Sequence, residues 1–125
     1  MNLQLTHFFD ASHQLTDSSE LVTKQCPNLH GHTYCVKVTL GNAKPNSAGM
    51  ITDFSSIKQI INRFDHRHIN AVLEEMGLDR KPTAENIALT LAELFSEELA
   101  VAADIGVSLC EGYKGERSNW VTVNL

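Results

Sequence analysis

No stretch of this 125-residue chain is apolar for long enough to cross a bilayer, and its first residues alternate polar and apolar without a basic segment leading into a hydrophobic one. Neither a membrane span nor a signal peptide is expected, and the expected location is cytoplasmic. Basic charge is also sparse. Ten Lys and Arg stand against fifteen Asp and Glu, for a net charge of −5, and form no dense run. That argues against a nucleic-acid partner, and an anionic substrate would have to be held by locally placed groups. Cysteine is scarce and odd in number: Cys26, Cys35 and Cys110 suit reduced thiols better than a disulfide framework. Cys35 and Cys110 fall in strand-like runs and read as packing residues. No internal repeat is visible at the level of residue identity. The length fits one domain over residues 1–125, small enough that association with further copies would help to bury its edges.

What the sequence does contain is strong local periodicity. Leu3, Leu5, His7, Phe9, Ala11 and His13 alternate through a first strand from about Asn2 to Ser12. The run from Gln14 to Leu29 has no period and reads as a loop carrying Cys26. A second strand follows over about His30 to Gly41, and Asn42 to Gly49 forms the turn after it. Ile57, Ile60, Ile61 and Phe64 sit at i, i+3, i+4 and i+7, a short amphipathic helix with Asp53 or Ser55 to cap it. Residues Asp65 to Lys81 are charged and irregular, with one helical turn around Ala71 to Met76 before Gly77. Thr83 then caps a longer helix with an Ile87, Leu91, Phe95 and Leu99 stripe, expected to run to about Ala103. Two more strands, Ile105 to Tyr113 and Asn119 to Leu125, flank a Lys114–Arg117 turn. The expectation is an α+β layer: a four-stranded antiparallel sheet in the order ββααββ, with two helices on one face. Its exposed edges invite pairing between copies.

The chemistry concentrates in His13 and in Cys26-Pro27-Asn28-Leu29-His30-Gly31-His32. Period two puts His30 and His32 on one face of the second strand, and antiparallel pairing of the first two strands could bring His13 to the same point. Three neutral imidazoles leave tetrahedral zinc with one open position, as in catalytic sites. A histidine pair at a strand start can also be a plain hydrogen-bonded surface feature. Gly31 weighs against that, because glycine inside a strand marks a place where a ligand or another backbone comes close. Cys26 could instead be a fourth ligand, closing the site and making it structural. His7 reads as structural. Glu111 falls on the apolar face with Val107 and Leu109, where a carboxylate needs a partner.

The segments FFDASHQL, CPNLHGHTY, GMITDF, FDHRHIN and PTAEN, in this order and spacing, resemble the 6-pyruvoyltetrahydropterin synthases and their bacterial relatives, the 6-carboxytetrahydropterin synthases, over residues 7 to about 113. The resemblance implies the tunnelling fold, with sheets joined between subunits into a barrel and two trimeric rings stacked into a homohexamer whose active sites lie at subunit boundaries. It implies zinc (Zn2+) held by His13, His30 and His32, with Cys26 as the proton-abstracting base and Asp65 and His66 as its relay partners. It also implies Glu111 as the carboxylate anchoring the pterin, and Thr83 near the pterin ring. His68, two residues after His66, competes with it for the relay role, and the family pattern selects His66. The substrate implied is 7,8-dihydroneopterin triphosphate.

Only three residues separate Cys26 from His30. That spacing resembles the 6-carboxytetrahydropterin synthases of queuosine biosynthesis, which release acetaldehyde and triphosphate, whereas 6-pyruvoyl enzymes typical of animals carry an insertion here. A folate-linked branch has glutamate in place of the cysteine, and Cys26 argues against it. Gln14 and Gly112 depart from the arginine and threonine common at those positions, and Ser118 to Leu125, with Trp120, continues past the usual end. Readings of another class are a zinc-stabilised oligomer that binds a pterin without converting it, and a metal-free, aldolase-like member of the same broad fold.

Overall fold

A computed structural model describes residues 1–15 and 28–125 of the protein. The first two strands, β1 (Leu3–His13) and β2 (His30–Gly41), pair antiparallel without a break, from Leu3 opposite Leu40 to His13 opposite His30. Helix α1 (Phe54–Ile61), strand β3 (Arg67–His68), helix α2 (Ile69–Glu75) and helix α3 (Ala84–Glu98) follow, and strands β4 (Asp104–Glu111) and β5 (Val121–Asn124) come last. The sheet order is β3-β1-β2-β4-β5.

This corrects the expected four-stranded antiparallel ββααββ layer with two helices. The sheet has five strands and is mixed, because β3 runs parallel to β1, with Arg67 opposite Ala11 and His68 opposite Ser12. A two-residue strand has no period of its own to read. It exists because the backbone doubles back at His66, whose φ of 55° places a non-glycine residue in the left-handed region and whose N–H donates to Asp10 O at 2.6 Å. The helical turn expected around Ala71 to Met76 is a full helix from Ile69, with Ile69, Val72 and Leu73 buried, and Gly77 at φ 72° follows its end. Helix α3 stops at Glu98, short of Ala103: Leu99 turns extended and keeps its own side chain in the core, which frees the next residues to reach β4.

Alternation explains the layering. Leu3, Leu5, Phe9, Ala11 and His13 of β1, Tyr34, Val36, Val38 and Leu40 of β2, and Ile105, Val107 and Leu109 of β4 are all buried on one face. The apolar stripes of α1 (Ile57, Ile60, Ile61) and α3 (Ile87, Leu91, Phe95) join them in one core. Phe9 stacks on Tyr34 with ring centroids 4.8 Å apart and meets Phe64 at 6.1 Å. His7 bonds Asn62 Oδ1 at 2.9 Å, a structural contact. Asp53 caps α1 through Ser55 N–H, and Thr83 caps α3 by accepting from Asn86 N–H at 3.2 Å. Thr83→Ala is expected to lower stability by about 1 kcal/mol, read as an earlier urea midpoint. Among the described residues, no helix is long and apolar enough to cross a membrane.

Candidate metal centre and the groups around it

The strand register does most of the assembly. His13 closes β1 directly opposite His30, which opens β2, and His32 lies two residues further along the same face. Their imidazole nitrogens fall within 4.8 Å of one another, in a group that could hold a metal ion. The ring centroids are 4.5 Å apart for His13 and His30, and 5.0 Å from each of these to His32. Gly31 fits a close backbone approach: a Cβ there would meet Ala11 O at 3.4 Å.

Backbone carbonyls set the tautomers. His13 Nδ1 lies 2.7 Å from Pro82 O, and His30 Nδ1 lies 2.7 Å from Asn28 O. A carbonyl only accepts, so each Nδ1 carries its ring's proton and each neutral ring turns a bare Nε2 lone pair inward. Those two Nε2 atoms are 2.9 Å apart. Two lone pairs facing at that distance repel unless a cation or a shared proton lies between them. The third donor makes the same demand, because His32 Nε2 is buried and has no hydrogen-bond partner. Burial lowers the His32 pKa, with Glu111 acting against the shift and the other two imidazoles reinforcing it. The ring is therefore biased toward the neutral form a metal requires. This donor set fits a zinc ion of the three-imidazole type, with imidazole–carbonyl contacts that fix two of the three ligands.

Glu111 ends β4 opposite Tyr34, with Oε2 3.7 Å from His32 Nε2. It borders a recess of about 220 Å³ with Ala84, at the start of α3, and Trp120. The start of α3 therefore meets the centre twice, through Pro82 O behind His13 and through Ala84 beside Glu111. Thr83 stands between these two residues as the helix cap. Tyr34 is fully buried and its hydroxyl has no partner. Burial, and then the Glu111 carboxylate, push its phenol pKa upward, so it stays protonated.

Asp65 and His66 form a second cluster with Asp10. Asp65 Oδ1 accepts Asp10 N–H at 2.9 Å and its Oδ2 lies 2.9 Å from His66 Nδ1. Asp10 N–H is the main cause of the lowered Asp65 pKa, which His66 lowers further. The left-handed backbone of His66 costs on the order of 1–3 kcal/mol and holds an imidazole that is 79% exposed. His68 faces Ser12 Oγ at 3.3 Å instead of the carboxylate. A cleft of about 540 Å³ is lined by His66 and His68 at one side and by His32 and Thr33 at the other. His66 therefore borders the same cleft as His32, while Asp65 and His66 stand apart from the three-histidine group. Cys26 lies outside the described residues. Cys35 and Cys110 are buried and free, directly opposite each other on β2 and β4, as packing residues would be.

Sequence reasoning missed the two carbonyls and Tyr34. The carbonyls left no signal, since any residue type offers one. An aromatic on the inner face of a strand looks like core, and much of Tyr34 is core.

The family model for 6-pyruvoyl tetrahydropterin synthase matches residues 2–124. A Rickettsia felis 6-carboxy-5,6,7,8-tetrahydropterin synthase is 30% identical over 125 aligned residues, covering 85% of this protein and 88% of the relative. A putative 6-carboxy-5,6,7,8-tetrahydropterin synthase of Pyrococcus abyssi is 42% identical over 64 residues, which span 51% of this protein and 38% of that relative. The solved Caenorhabditis elegans 6-pyruvoyl tetrahydropterin synthase shares the fold, with a TM-score of 0.67 and 24% identity over 100% of this protein and 95% of the other.

Proposed function

The chain belongs to the 6-pyruvoyl tetrahydropterin synthase family; within it, we propose, this protein is a zinc-dependent lyase that converts 7,8-dihydroneopterin triphosphate to 6-carboxy-5,6,7,8-tetrahydropterin, with release of acetaldehyde and triphosphate, in queuosine biosynthesis. The observation that carries the reading is the pair of Nε2 lone pairs of His13 and His30 facing at 2.9 Å beside the orphaned Nε2 of His32. A bound cation relieves all three, whereas a shared proton relieves only the His13–His30 pair. Zinc held by these residues would supply Lewis acidity toward the hydroxyls of the pterin side chain.

The remaining roles fall to the protein itself. Glu111 presents a carboxylate that can accept two hydrogen bonds from the guanidine-like edge of a pterin, with Thr83 near the ring. Cys26 is the base that removes a carbon-bound proton from the substituent at the pterin 6-position, its thiolate favoured by a nearby cation. Asp65 orients His66 through the 2.9 Å contact. That contact favours His66 over His68 as the relay, an arrangement worth about 10²- to 10⁴-fold in rate. Among the described residues β3 and β5 are the edge strands of the sheet, and such edges suit sheets joined between copies into the barrel of a homohexamer, a dimer of trimers, with each site completed at a subunit boundary. The cytoplasm is the fitting location for such an enzyme and its free thiols.

Two features support the 6-carboxy product: the short spacing between Cys26 and His30, and the names of the curated relatives. The family description and the nematode enzyme support a second reading, triphosphate elimination to a 6-pyruvoyl product. Incubating zinc-loaded protein with 7,8-dihydroneopterin triphosphate, trapping aldehyde and weighing the pterin by mass spectrometry separates them. A 6-carboxy pterin with one equivalent of acetaldehyde is the expected result. A 6-pyruvoyl product without aldehyde moves the enzyme to the second reading, and zinc retained without turnover leaves a pterin-binding oligomer.

A further inference from the structure

Among the described residues, two buried side-chain polar atoms lack a hydrogen-bond partner, His32 Nε2 and the Tyr34 hydroxyl. Both belong to the inward face of β2 and are two residues apart. The donor set accounts for the first. The second has no account in the core, where a buried phenol ordinarily finds an acceptor and where phenylalanine would fill the same space without a stranded O–H.

The surroundings of Tyr34 are not those of a purely structural aromatic. One ring face stacks on Phe9 at 4.8 Å. The rings of His32 and His13 meet Tyr34 edge-on at 5.5 and 6.1 Å, and Glu111 is its direct partner across the β2–β4 pair. The unpaired hydroxyl thus belongs to a residue bounded by two imidazoles of the centre and by the carboxylate beside it. We propose that Tyr34 is a substrate-binding residue of this centre, its hydroxyl donating to a side-chain oxygen of a hydroxylated pterin seated among His13, His30 and His32. The inference rests on the pterin reading above and adds a donor to it.

Tyr34→Phe removes the hydroxyl and keeps the ring. Zinc-loaded wild type and variant are titrated by fluorescence with 7,8-dihydroneopterin, which carries the hydroxylated side chain, and with 6-methyl-7,8-dihydropterin, which does not. Wild type should prefer the first ligand. The variant should lose about tenfold in affinity for it, and less than about twofold for the methyl analogue. Zinc content should be unchanged and the metal-free Tm equal or higher, since no internal hydrogen bond is lost. An unchanged preference in the variant, or an equal loss for both ligands, overturns the proposal. A lower Tm with loss of zinc overturns it in favour of a structural role. A wild type that binds neither ligand overturns the pterin reading itself, and the Tyr34 inference with it.

Discussion

His32→Ala is expected to weaken zinc binding by more than about 100-fold and to abolish turnover, while leaving the metal-free protein close to its original stability. Even residues that only orient a ligand typically cost about 10- to 100-fold in metal affinity, so loss of the ligand itself should exceed that range. The stability half of the expectation follows from the orphaned Nε2: in the metal-free fold His32 has no hydrogen bond to lose there. His13→Ala should differ. His13 is 1% exposed and its Nδ1–H satisfies Pro82 O, so its removal strands a carbonyl and opens a cavity beside Tyr34. It should therefore lower the metal-free Tm as well as the zinc affinity. The check is a pair of melting curves for each variant, with and without zinc. Wild type should gain several degrees with zinc at about 100 times Kd, where linkage supplies about 2.7 kcal/mol. Neither variant should gain at that concentration. Zinc affinity retained within about threefold in His32→Ala would remove that residue from the ligand set.

How much of this centre could be read in the sequence depends on the range of the forces that build it. The face shared by His30 and His32 is a property of one strand, and alternation alone reveals it. The place of His13 needed only the assumption that β1 and β2 pair, and the uninterrupted register from Leu3 to His13 meets it. Glu111 stood out because a carboxylate among Val107 and Leu109 demands a partner. By contrast, Pro82 and Asn28 act through their backbone oxygens, which no side-chain pattern encodes. The β3 strand and the left-handed turn at His66 depend on Asp10, more than fifty residues earlier, supplying both a carbonyl to His66 and an N–H to Asp65. Local propensity cannot register a contact of that separation. The overrun of α3 to Ala103 was a similar error, since Leu99 fits the helical stripe as well as it fits the turn that ends the helix.

Cys26→Ala is expected to lower kcat by about 10³-fold or more while zinc content and Tm stay within error of the wild type. In the proposed reading Glu111 is committed to the ring edge and the His66 imidazole is held by Asp65, which leaves the Cys26 thiol as the base. General base catalysis alone accounts for about 10²- to 10⁴-fold, and a thiol replaced by a hydrogen leaves nothing to accept the proton. The metal-content half of the experiment carries equal weight. A Cys–His₃ site would be closed, and alanine there would release zinc and take its contribution to folding with it. An open site, by contrast, keeps its zinc on His13, His30 and His32 when the thiol is removed. Cys26→Ser separates the roles once more. A serine hydroxyl is a far weaker base near neutral pH than a thiolate, so turnover should remain low with zinc bound. Cys26→Glu, which places a carboxylate where the thiol stood, should recover part of the proton abstraction. Loss of zinc in all three variants would instead make Cys26 the fourth ligand.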